Sequence, residues 1–224
     1  MAVATIAPEM NRSAPMIAGL AFAALYGSAV LVIPGISDAQ DDGAARVQAL
    51  LLAFSALGLV VVLAFARDRL SGAPAHLFTI GSAVLVTSLA VAVWFTSGAA
   101  LRPGQLATTT ARVIGDVGSM WLPVTTIANI LVAVPILLYA NEGHFPRWLG
   151  IGTAVFTVEQ LIETITIIGP PGSFIAPGGP MNHYLGGTVT TAFYLALGIA
   201  LWLGEPPTPE TAPETTPDEE PVER

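Results

Sequence analysis

The sequence contains no lysine and no cysteine, and charged residues fill only 11% of its 224 positions. A soluble domain carries about 25% charged residues. Without lysine there is no Schiff-base chemistry and no P-loop lysine to hold phosphates. Without cysteine there is no disulfide, no thiolate nucleophile and no thiolate-ligated metal. The shortage of charge, set beside 53% hydrophobic residues and a mean hydropathy of +0.69, marks a membrane protein whose first partner is the lipid bilayer. The formal net charge of −8 is mostly local. Residues 205–224 hold seven of the 16 acids against one arginine, Arg224, so the rest of the chain is near balance. No basic surface for a nucleic acid is left.

What is present is a set of long apolar runs. About 20 residues of helix, at a rise of ~1.5 Å each, cross a hydrocarbon core of ~30 Å. Runs of that size recur at 16–36, 47–66, 77–97, 113–139, 148–168 and 184–203, separated by turn and charge signals such as "RDRLSGAP", "NEGHFPR" and "GPPGSFIAPGGPMNH". The pattern predicts an all-α, polytopic bundle of six transmembrane helices over residues 1–204. The first run is too long for the apolar segment of a signal peptide, so it is expected to be retained. The fourth contains Pro123 and Pro135, which predict tilt or a kink. Gly19, Ala23 and Gly27 repeat every four residues and predict a face for close helix packing inside the bundle.

The segment 205–224, "EPPTPETAPETTPDEEPVER", has six prolines, four threonines and nothing able to build a core. It reads as a disordered, solubilising tail. Arg12, Arg67, Arg69 and Arg147 fall on the side of the N-terminus, against Arg46, Arg102 and Arg112 on the other. That excess favours both termini in the cytoplasm.

The fifth run carries "VFTVEQLIETITI", with Glu159 and Glu163 among apolar residues. A central acid costs about 2.5–3.5 kcal/mol on insertion scales, and each Leu, Ile, Val or Phe returns about 0.3–0.6. The ten such residues in this run gain roughly 3–6 kcal/mol, which two glutamates cancel. Both acids must therefore face protein or a water-filled cavity. Their i, i+4 spacing puts them on one helix face, near Gly152, Phe156 and Thr166.

Partners are expected from the neighbouring runs. The sixth presents His183, Gly187, Thr190, Thr191 and Tyr194 at helical spacing, and the fourth begins with Arg112, Asp116 and Ser119. Asn129 lies opposite Asp116 on the wheel of a straight helix. The candidate site is thus Glu159, Glu163, Asp116, Arg112, His183 and Tyr194, an outward-opening polar pocket beneath the Pro/Gly-rich loop 169–182. No Glu-x-x-His or His-x-x-x-His pair occurs, so neither a metal nor another cofactor is expected. Three functional readings compete: protonated acids that simply hold the bundle together, proton- or cation-linked transport or sensing, and an intramembrane enzyme using acid/base carboxylates on a lipid-like or polyene substrate. The second is the lead, so an enzyme is not the first expectation.

At "GHFPRWLGIGTAV", residues 143–155, the chain resembles small actinobacterial integral membrane proteins of about six helices, in which a Pro-Arg-Trp-Leu turn joins the fourth and fifth. Pro146, Arg147, Trp148 and Leu149 carry the likeness. A proline starts the helix, an arginine sits with the headgroups and a tryptophan at the interface. The resemblance implies a bacterial, plasma-membrane, six-helix protein, and no activity.

Overall fold

The computed structural model describes residues 13–33, 42–101 and 107–204. The acidic segment 205–224, together with Arg12, Asp38, Asp41 and Arg102, lies outside the described residues. Regular structure among the described residues is entirely helical. Helix α1 is Ala14–Gly27, with Pro15 in its first turn, where a missing N–H costs nothing. It runs on as a π-helical segment, Ser28–Val32. Helices α2 (Asp42–Arg67) and α3 (Gly72–Ala99) follow, then α4 (Thr108–Ser119), α5 (Trp121–Asn141) and α6 (Arg147–Glu163). Helix α6 ends in a 3-10 turn, Thr164–Ile168. A second π-helical segment, Met181–Gly186, leads into α7, Gly187–Leu203. Among the described residues six helical spans are long and apolar enough to cross a membrane.

The expected distortion of the fourth span takes the form of a break. Met120, which keeps right-handed angles of φ −67° and ψ −11°, separates the amphipathic α4 from α5 within one span, Val113–Asn141. Pro123 falls in the first turn of α5, where its N–H would have no partner. Pro135 is buried inside α5, which continues through it. Between α5 and α6, Gly143 at φ +89° supplies the left-handed turn that lets Arg147 begin the next helix directly after Pro146.

The spans form a ring in the order α6, α5, α3, α2, α1, α7, and α7 returns to α6 more sparingly than it packs on α1. In lipid the hydrophobic effect does not press helices together, so close backbone approach must do so. A Cβ on Gly198 would lie 2.6 Å from the Pro15 carbonyl oxygen and 3.1 Å from Gly19 Cα. One on Gly81 would lie 2.6 Å from Leu131 Cβ. The small-residue face of α1 is therefore turned to α7: Gly19 meets Gly198 and Gly27 meets Thr191. Outward, Leu20, Leu50, Leu57, Ile80, Val155 and Ile162 are exposed, as a lipid-facing belt requires.

Candidate functional site

Polar side chains inside the spans divide by reach. Hydroxyls can turn back onto their own helix, and Ser55, Ser88, Thr125, Thr153 and Thr191 each donate to a carbonyl three or four residues earlier. Carboxylates and carboxamides carry more polar atoms than such a local bond satisfies. In a medium without water they must find each other.

They do so along one chain that passes through α7, α5 and α6. The Tyr194 hydroxyl donates to Asn129 Oδ1 at 2.9 Å, and Asn129 Nδ2 donates to Gln160 Oε1 at 2.6 Å. Gln160 Nε2 then donates to both acids, to Glu159 Oε2 at 2.7 Å and to Glu163 Oε2 at 3.0 Å. The other oxygen of Glu163 accepts from Asn182 Nδ2 at 2.6 Å, and Asn182 Oδ1 accepts from the backbone N–H of Gly178 at 3.1 Å. Asn182 also donates to Thr166 Oγ1 at 3.2 Å. Tyr194, Asn129, Gln160, Glu163 and Asn182 are all buried.

The surroundings hold this chain in place. Phe22, Phe156 and Phe193 ring Tyr194, with Phe193 stacked on Phe156 at 4.0 Å. Gly186 lies against the Glu163 carboxylate so closely that a Cβ there would overlap its oxygens. The loop 169–180 is a succession of turns: Ser173, Ala176 and Gly179 N–H donate to the carbonyls of Pro170, Ser173 and Ala176. Glu163, at 4% exposure, is enclosed by Asn182, Gln160 and Gly186 rather than set in an open pocket. At the inner end, Tyr194 and Asn129 meet Thr125 and Thr190 around a void of about 10 Å³, the lower limit for one water.

The sequence-predicted residues are not all brought together. Glu159, Glu163 and Tyr194 share the chain. The buried stripe of α6 runs Leu149, Thr153, Phe156, Gln160, Glu163, so Glu159 lies on its flank and Gly152 faces out. One Glu159 oxygen is buried without a hydrogen-bond partner, and the residue forms one wall of a lipid-facing apolar groove of about 410 Å³ with Val155, Val158 and Leu185. Asp116 is exposed on α4 and makes no side-chain hydrogen bond to either acid among the described residues. The side chain of Arg112 lies outside the described residues. His183 points away from Asn182, into a separate cavity beside Ser119.

Asn129, Gln160 and Asn182 carry the geometry, and the candidate set drawn from the sequence omitted them. The available signal was that these carboxamides lie within or at the edge of apolar runs. Among the described residues no three of His, Asp and Glu converge as a metal site would need. Comparison with protein-family models, curated proteins and solved structures finds no match to this chain.

Proposed function

We propose that this multi-pass membrane chain is a proton-responsive sensor, with Glu159 and Glu163 as the responding pair, in a plasma membrane with both termini cytoplasmic. The observation that carries this reading is the unbroken series of hydrogen bonds from Asn182 through Glu163, Gln160 and Asn129 to Tyr194. Two carboxylates share one neutral amide, and no cationic side chain bonds either of them among the described residues. A proton suits such a pair better than a metal ion.

The series can also run with two polarities. With the acids ionised, each donor faces them. A proton on Glu163 lets it donate instead to a Gln160 oxygen, once that amide has turned over. Gln160 then donates to Asn129, and Asn129 to the Tyr194 oxygen. One proton on Glu163 thus rewrites hydrogen bonds on α5 and α7. The series stops at Tyr194 inside the aromatic core, which favours sensing over passage to the far face. The lipid-facing groove beside Glu159 supports a second reading, an intramembrane enzyme acting on a lipid-like substrate.

Infrared titration of the carboxylic-acid C=O band tests the proposal, on reconstituted protein from about pH 4 to about pH 9, a window that spans the ordinary carboxyl and imidazole ranges. The expected result is a band that disappears as pH rises through this window and is missing in Glu163→Gln. A band that persists to the upper limit means locked, structural acids, and the sensing reading falls.

A further inference from the structure

A second polar feature lies on the other side of the loop. The cavity into which His183 points measures about 270 Å³ and is bounded by α1, α2, α3, α4, α5 and the π-helical start of α7. Its polar lining comes from Gln48, Ser119, Gly178 and His183, against apolar walls that include Phe95 and Trp121. His183 Nδ1 is buried and has no hydrogen-bond partner. Gln48 uses its Nε2 to hold the Ala29 carbonyl at 2.9 Å, and its Oε1, an acceptor, has no partner among the described residues. Ser119 donates its proton to the Gly115 carbonyl at 2.7 Å, so its oxygen is an acceptor as well. Among the described residues no charged side chain lines the space.

We infer that this cavity is a binding site for a small, uncharged, single-ring molecule bearing a hydrogen-bond donor such as a phenolic hydroxyl. The volume is near the lower end of ligand pockets, where apolar walls with a few convergent polar groups are the rule. Acceptors on Gln48 and Ser119 ask for a donor, a described lining without charge suits a neutral molecule, and two aromatic side chains suit a ring.

The site is built into the carboxylate chain. His183 follows Asn182, which holds Glu163, and Gly178 both lines the cavity and donates to Asn182. Both π-helical segments take part, since Val30 lines the cavity and touches the position of Gly187. Such irregular turns recur at functional sites. Occupancy therefore bears on Asn182 from behind. This link rests on the sensing reading, whereas the binding site itself does not.

The test uses the full chain in lipid nanodiscs, with 4-methylphenol as probe and saturation-transfer NMR as readout, against protein-free discs. The expected result is saturable binding, not displaced by toluene or 4-methylbenzoate, and at least tenfold weaker in both His183→Phe and Ser119→Leu. Binding should survive in Gly152→Ala, which lies outside the cavity lining and meets nothing within 4 Å. No saturable signal above empty discs, or equal binding of toluene, overturns the site. Binding without any change in the infrared C=O band on adding the probe keeps the site and overturns its link to Glu163. The pH titration of that band is a separate measurement, so failure of the sensing reading and failure of this one are distinguishable.

Discussion

Replacing Asn129 with leucine, a side chain of similar size, removes the middle of the hydrogen-bonded chain while nearly preserving packing. Two groups lose their partners: the Tyr194 hydroxyl, at 0% exposure, and Gln160 Oε1, in a residue at 1%. Leaving a buried polar group unpaired costs about 1–3 kcal/mol in protein interiors. Interhelical hydrogen bonds in bilayers average ~0.6 and reach ~1.7 kcal/mol, because the unfolded state in lipid also finds partners. Two bonds thus give a loss of roughly 1–3 kcal/mol for Asn129→Leu, and Tyr194→Phe alone about 0.6–1.7. The double variant should cost less than the sum by about the same 0.6–1.7 kcal/mol, since the phenylalanine ring has no hydroxyl left to orphan. Reversible unfolding in mixed micelles measures all four corners of the cycle. Additivity within about 0.3 kcal/mol would refute the claim that Tyr194 and Asn129 act as one unit.

Gly186→Ala places a methyl on the Glu163 carboxylate, and the acid must leave Asn182 or Gln160 to make room. The expected outcome is a displaced infrared C=O band with the bundle still helical by circular dichroism; an unchanged band contradicts the packing described here. Gly198→Ala drives a Cβ into the Pro15 carbonyl, so it should lower stability by about 1–3 kcal/mol, as overpacking does. Gly152→Ala meets nothing within 4 Å and should be neutral or gain up to about 1 kcal/mol of helix propensity, a contrast that the same unfolding assay checks.

The architecture was legible because hydropathy and length alone dictate spans, and each of the six apolar runs contains a helix in the structure. The carboxylate pair was legible for the same reason, as a cost in lipid that had to be offset. The partners were harder to read. Asp116 and Asn129 cannot share a straight face, and the helix is interrupted at Met120, where Pro123 has no N–H to offer the Ser119 carbonyl four residues earlier. Glu159 and Glu163 share a face by spacing, yet the core centres on Gln160, and a rotation of α6 by a fraction of a turn decides which acid is enclosed. The π-helical turn at 181–186 then sets Asn182 toward Glu163 and His183 toward the other cavity. Such register details depend on neighbours distant in sequence, so a single-helix wheel does not contain them.

The adjacency of α1 and α7 has a consequence for how the chain is made. The first helix emerges from the ribosome with a glycine face whose counterpart, Gly198, is nearly the last part of the bundle to be synthesised. Helix α7 and its leading turn also bring Tyr194 and Asn182, the two ends of the polar chain. Until they arrive, Glu163 and Asn129 stand in lipid short of partners, at a cost of several kcal/mol by the same insertion scale. Helix α7 therefore works as a keystone of this bundle's assembly. An incomplete or misinserted chain is chemically conspicuous, carrying unmatched acids and amides that membrane quality control can recognise.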